Sequence, residues 1–259
     1  MTGTPAMNAP VMDAIRAFGL DPALLPEAVI DADVRGFLEI HIEQGPALDG
    51  VKRRRGAVET VAGQSRAAVR FTGKANHSGT TPMEARRDAL TAAAEWIVAV
   101  EALARATRGL MATVGRVDVE PGAVNVIPGA VRATVDVRHP RDAVRIETTR
   151  HLRARAQTIA QARQIECDWR ALCDEVTTPM NHAMVEALGT AIRSAGYPDH
   201  RMVSSASHDA MLLARKVPAA MLFVRTPGGV SHHPDETVLA DDVEAALKVG
   251  MKFLEGWDR

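Results

Sequence analysis

Between residues 60 and 175 the hydrophobic period switches repeatedly between strand and helix, and this succession narrows the folds open to the chain. Residues 67–72 alternate as a strand. Arg86 to Ala106 sets Leu90, Ala93, Ile97, Val100 and Leu103 at helical spacing. Residues 111–119 and 130–137 read as two further strands, 142–162 as an Arg-rich helix, and 165–172 as a last strand. The predicted order is β-α-β-β-α-β, in which two helices back one antiparallel sheet. The other face of such a sheet is open to a partner.

The flanks follow a different rhythm. Residues 1–10 are small and Pro-containing and are expected to fray. Asp13 to Phe18 predicts a short helix stopped by Gly19 and Pro22. Over 33–43, Leu38, Ile40 and Ile42 alternate with Glu39, His41 and Glu43, a strand with one polar face. Beyond Thr178 an α/β rhythm returns: a helix over 181–195, a short helix over 208–214, and a buried strand over 219–224. A Gly-His loop follows, then a last helix capped by Asp241. The chain therefore divides into 1–59, a ferredoxin-like insertion over 60–175, and 176–259, with the two flanks forming one α/β layer.

Composition excludes several functions. Lys and Arg total 31 against 32 Asp and Glu, a net charge of −1, and aromatics are 3%. Neither phosphate-backbone attraction nor base stacking suits such a chain, so no nucleic-acid partner is expected. Two cysteines cannot build a disulfide scaffold and fit a reducing compartment. The apolar stretch 89–104 is too short to span a bilayer and is broken by Glu95 and Glu101, and no basic-then-apolar leader is visible. The expected location is the cytoplasm, with no membrane partner.

Several clusters could carry chemistry, and each also has a plainer reading. His41-Ile42-Glu43-Gln44-Gly45-Pro46 ends a strand; it fits a ligand site or a solvated strand face. Asn76-His77-Ser78-Gly79 lies in a loop that fits either function or the capped start of a helix. Asn125 offers an amide and Arg138 a planar fork for a carboxylate; a turn residue and a surface ion pair are the alternatives. Gly228-Gly229-Val230-Ser231-His232-His233 is hard to explain by packing, and imidazole is a common metal ligand. Ser204 to Asp209 lacks a nucleophile elbow, so capping by Ser207 or Asp209 is expected there.

Taken in order, His41–Pro46, Ala75–Met83, Gly122–Gly129 with Asp136–Arg138, and Ser231-His232-x-Pro-x-Glu236 resemble the C-terminal part of the di-zinc ureido-acid amidohydrolases. That group comprises allantoate amidohydrolase, N-carbamoyl-L-amino-acid hydrolase and β-ureidopropionase. The resemblance implies a partial zinc-amidohydrolase catalytic domain carrying an inserted lid and dimerisation domain. It implies His41 on one zinc and His232 on the other, with manganese or another divalent metal as a substitute. Gln44 would line the substrate pocket, and Asn125, Arg138 and the Gly229 backbone would hold the substrate carboxylate. His77 would act catalytically on the substrate or its developing oxyanion, across the interface of a homodimer. His208-Asp209 match a motif near the site with a structural role; the family's preceding Gly is Ser207 here.

The family's His-x-Asp pair, bridging Asp and Glu-Glu pair precede the strand that holds His41, and residues 1–40 contain none of these. The ligand set is expected to be incomplete, and a separate N-terminal segment is an expected partner, the chain being a truncation, a split-gene half or a fragment. The expected function is metal-dependent hydrolysis of the C–N bond of a small ureido acid; the alternative is a non-catalytic dimerisation or carboxylate-binding remnant.

Overall fold

A computed structural model describes residues 11–257; the expectation of a frayed start falls on residues outside these. Residues up to Gly36 form one unit and those from Phe37 another. The first holds helix α1 (Val11–Ala17) and a 3-10 turn over Pro22–Glu27, capped by the Asp21 carboxylate, which accepts from the Ala23 amide at 2.9 Å.

The second unit runs β1 (Phe37–Ile42), α2 (Ala47–Gly50), β2 (Arg55–Val61), β3 (Gly63–Thr72), β4 (Asn76–His77), α3 (Ala89–Ala106), β5 (Met111–Glu120), β6 (Val126–Ile127) and β7 (Ala130–His139). It continues through α4 (Asp142–Ala162), β8 (Glu166–Glu175), β9 (Thr178–Pro179), α5 (His182–Ser194), β10 (Arg201–Ser204), α6 (Asp209–Leu213), β11 (Ala219–Val224) and α7 (Ala240–Trp257). Two larger sheets result. One has the order β1-β11-β2-β10, with β9 also on β2, and mixes parallel and antiparallel pairs. The other, β5-β7-β3-β8, is antiparallel throughout. The strands of the first sheet come from both sides of residues 63–175, so segments distant in sequence share one layer.

Each sheet has its own core. β11 is buried along its whole length, which is why it reads as an unbroken apolar run. β2, β11, α5 and α7 supply most of the first core. In the second, Val69 and Phe71 of β3 and Val135 and Val137 of β7 pack against Trp96 and Val100 of α3 and Leu152 of α4. Trp96 is fully buried, and its indole N–H donates to the Leu152 carbonyl at 3.0 Å. Trp96 and Val100 are therefore core residues, and the large apolar side chains that α3 leaves exposed are Leu90 and Val98.

The chain crosses between the two sheets at residues 62–63 and 176–177. The start of α4 ties these crossings together. The Asp142 carboxylate accepts from the Thr177 amide at 3.1 Å and from its hydroxyl at 3.1 Å. Arg145, fully buried, bridges Asp142, Ser65 and Asp174.

Three local expectations are corrected. α7 begins at Ala240, so Asp241 lies in its first turn and is not its cap. The N-cap of α6 is His208, which makes no side-chain cap bond. Neither Ser207 nor Asp209 caps that helix; its Ala210 amide is instead taken by the Glu39 carboxylate of β1 at 2.8 Å.

Candidate functional site

The end of β1 brings the first group together. Glu39 and His41, two apart on a strand, share a face, and α6 brings His208 to them. The His41 Nδ1 lies 2.7 Å from the Ile42 carbonyl, which can only accept, so Nδ1 is the donor of that bond. The His41 and His208 rings meet edge to face at 4.7 Å between centroids. The His208 Nδ1 lies 3.7 Å from Glu39, and its Nε2 lies 2.9 Å from the Ser204 hydroxyl. Burial, aided by neighbouring His41, pushes the His208 pKa down to about 4, so the ring is neutral near pH 7.

Glu43 does not join them. The strand has ended by that residue, and its buried carboxylate turns back onto α2, accepting from the Ala47 amide at 2.7 Å and the Leu48 amide at 2.9 Å. The expectation that it projects with Glu39 and His41 fails because these helix N–H groups claim it. Burial pushes its carboxyl up, against the two amide donors. The turn it stabilises presents Gln44, whose backbone is left-handed (φ 58°) and whose amide donates to the Thr226 hydroxyl at 3.0 Å.

A cleft of about 770 Å³ opens beside this turn, lined among others by Gln44, Asp136, Arg138, Ser231 and His232. The Arg138 fork is held on three sides. Its Nε and Nη2 donate to the two Asp136 oxygens at 2.8 and 2.9 Å, and its Nη1 donates to the Ser205 carbonyl at 2.7 Å. Arg66 donates to the same carboxylate at 2.7 Å. Burial pushes the Asp136 carboxyl up, but the bonds from Arg138 and Arg66 outweigh it and hold it below its ordinary value. The bond to Asp136 in turn raises the Arg138 pKa.

On the facing loop His232 is left-handed (φ 57°) and exposed. Glu236 closes the loop, accepting from the Ser231 hydroxyl at 2.6 Å and the His232 amide at 2.9 Å. The Ser231 hydroxyl is the main cause holding the Glu236 carboxyl below its ordinary value, and the imidazoles of His232 and His41 add to it. Gly229 has φ +68°, and its amide donates to the Thr226 carbonyl at 2.9 Å. A Cβ at Gly229 would stand 2.7 Å from the Pro46 Cβ, so the two loops approach as closely as they do because a glycine is there.

His77 and Asn125 lie elsewhere. They sit on the β4–β6 ribbon, where His77 pairs with Val126 and the Ser78 amide donates to the Asn125 carbonyl at 3.0 Å. Both are exposed, and neither lines the cleft that holds Arg138.

Among the described residues the group able to hold a cation is Glu39, His41 and His208, with one ligand atom each within 4.8 Å of one another. Two imidazoles and a carboxylate suit a borderline divalent ion such as zinc. The donor chemistry fits. Reading the sequence missed this grouping and the Asp136 clamp. The clamp had a visible signal, since Asp136 and Arg138 stand two apart on one strand; the Glu39–His208 contact had none.

The profile of peptidase family M20/M25/M40 matches residues 3–256. The N-carbamoyl-L-amino acid amidohydrolase of Geobacillus stearothermophilus is 35% identical over 238 residues, covering 92% of this chain and 58% of that enzyme. The allantoate amidohydrolase of Escherichia coli is 35% identical over 240 residues, with 92% and 58% covered. Among solved structures, a hydantoinase/carbamoylase family amidase from Burkholderia multivorans superposes with a TM-score of 0.81 at 36% identity, over 85% of this chain and 54% of that one. AtUAH in complex with (S)-hydroxyglycine gives 0.85 at 28% identity, over 97% and 61%. The chain thus spans just over half the length of the relatives it matches.

Proposed function

The chain belongs to peptidase family M20/M25/M40, and from that premise we propose that it supplies the carboxylate-recognition part of a cytoplasmic enzyme that hydrolyses the C–N bond of a ureido acid, an N-carbamoyl-L-amino acid or allantoate. The observation that carries this reading is Arg138. Its guanidinium is clamped by Asp136 and stands in the same cleft as Gln44 and His232. The fork is fixed by Asp136 and the Ser205 carbonyl, and the two N–H bonds that remain of its five are preorganised for a carboxylate. Gln44 then offers its amide to the ureido group. His41 and His232 are proposed as ligands of two divalent ions, zinc or manganese, one histidine on each, and those ions would supply Lewis acidity toward the ureido carbonyl.

The β3–β8 unit, residues 60–175, is proposed as a ferredoxin-like lid inserted between the catalytic segments 1–59 and 176–259. Its β4–β6 ribbon would bring His77, and with it Asn125, to the cleft of a second copy in a homodimer, where His77 donates to the bound substrate and to its developing oxyanion. Gly229 acts by seating the His232 loop against Pro46 at the pocket's rim.

The test is calorimetric titration of the purified protein with N-carbamoyl amino acids and allantoate, together with ammonia release in the presence of zinc or manganese. Saturable binding that Arg138→Lys weakens by roughly 10- to 100-fold, with unchanged metal content, is expected, because Lys cannot copy the fork. Failure of every ureido acid to bind refutes the proposal.

A further inference from the structure

We infer that Thr226 is a positioning residue of the site, the one that fixes the turn presenting Gln44 against the loop carrying Gly229 and His232; the inference rests on the ureido-acid reading proposed above. β1 and β11 run parallel, and the Glu43 amide, donating to the Val224 carbonyl at 2.8 Å, carries their main-chain pairing to the end of both strands. One residue on, the backbone of Gln44 is left-handed (φ 58°). Its amide reaches a side chain instead of a carbonyl, donating to the Thr226 hydroxyl at 3.0 Å. The Thr226 carbonyl accepts from the Gly229 amide at 2.9 Å. A single residue, 0% exposed, therefore bonds to both loops of the cleft, through its side chain to one and its main chain to the other.

Two further ties join these loops. The Gly228 amide donates to the Asp49 carboxylate at 3.1 Å, and Gly229 sits against Pro46. Pro46 and Asp49 lie at the start of α2 and within it, beyond Gln44, whereas the Thr226 hydroxyl is the partner of Gln44 itself. Branching at Cβ restricts the Thr226 χ1, so the acceptor stays where the turn needs it. Thr226→Val keeps the branched shape and removes the acceptor. The Gln44 amide would then face a methyl group, and a buried donor left without a partner drives its segment to move. A shift of about 1 Å in a group that orients a substrate is enough to cost on the order of 100-fold in a positioned reaction. For binding alone the expected loss is about tenfold, the scale of one hydrogen bond to the ureido group.

The experiment pairs two measurements on the full chain: calorimetric titration with N-carbamoylglycine, N-carbamoyl-L-leucine and allantoate, and hydrogen exchange read at the Gln44 amide. Thr226→Val is expected to weaken ureido-acid binding about tenfold and to speed exchange at Gln44 by about the same factor. The amides of β11 should keep their protection, which a general loss of structure would remove. Thr226→Ser retains the hydroxyl and should restore both readings to within about threefold of wild type. In a Gln44→Ala background Thr226→Val should add no further loss of affinity, because the side chain it positions is gone. If Thr226→Val does not fold, Thr226→Ala, which also lacks the hydroxyl, is held to the same outcomes. Unchanged affinity or unchanged Gln44 exchange overturns the inference, as does a full further loss in the Gln44→Ala background. With the wild type binding, each of these leaves the ureido-acid reading standing. Absence of wild-type binding to every ureido acid overturns that reading and this role with it.

Discussion

Asp136 decides where the Arg138 fork points, because it takes two of the guanidinium's bonds and shares its second oxygen with Arg66. Asp136→Asn would leave a neutral amide with one acceptor between two cations. The expected result is a loss of about tenfold in ureido-acid affinity near pH 7, the scale of one charge-assisted pair. Stability should respond with a defined sign. The folded carboxyl is held below its ordinary value, so its contribution is present above about pH 4 and is lost as pH falls through the lowered folded value. Urea unfolding of the wild type and Asp136→Asn should therefore show a gap at pH 7 that closes as pH is taken below 4. A gap independent of pH would show that the clamp is not electrostatic. The family resemblance carried by the ordered motifs singled out Gln44, Arg138 and His232, which share the cleft. The group at Glu39 was not legible, because it forms only when α6 is laid against β1.

Glu43 shows how a four-residue helix holds a site loop. A helix as short as α2 has no stability of its own, and its first amides, at Ala47 and Leu48, are both taken by this one carboxylate. Glu43→Ala removes both acceptors and should cost about 1–2 kcal/mol in urea unfolding, with Glu43→Gln, which keeps one carbonyl, falling between. If both variants matched the wild type, α2 would be held by its Leu48 contacts alone. At this scale the sequence was legible wherever one face was wet or a run was wholly apolar. α4 spans the predicted 142–162, and β11 the predicted 219–224. β2 escaped notice because Arg-Gly-Ala-Val-Glu-Thr-Val neither alternates nor forms an apolar run, although it lies between β11 and β10 in the middle of its sheet. β10, four residues long, is too short to show a period.

The whole molecule poses a problem of placement. His77 and Asn125 sit on the β4–β6 ribbon, and the cleft holding Arg138, Gln44 and His232 does not include them. Their contribution to that cleft accordingly requires a second copy of the chain. β5 and β8 are the edges of their sheet, and Val98 on α3 is 67% exposed, so unpaired backbone and apolar surface are available for a two-fold contact. Light scattering at tens of micromolar is expected to give a dimer. Complementation tests the geometry more sharply. His77→Ala and Arg138→Ala homodimers should each bind N-carbamoyl-L-leucine poorly. In an exchanged equal mixture, half the dimers are mixed, and each mixed dimer carries one site with Arg138 from one copy and His77 from the other. About a quarter of all sites should then recover wild-type affinity, following from two-fold symmetry alone. Titration of the exchanged mixture reads this directly as stoichiometry, whereas a site built wholly within one chain would recover no sites on mixing.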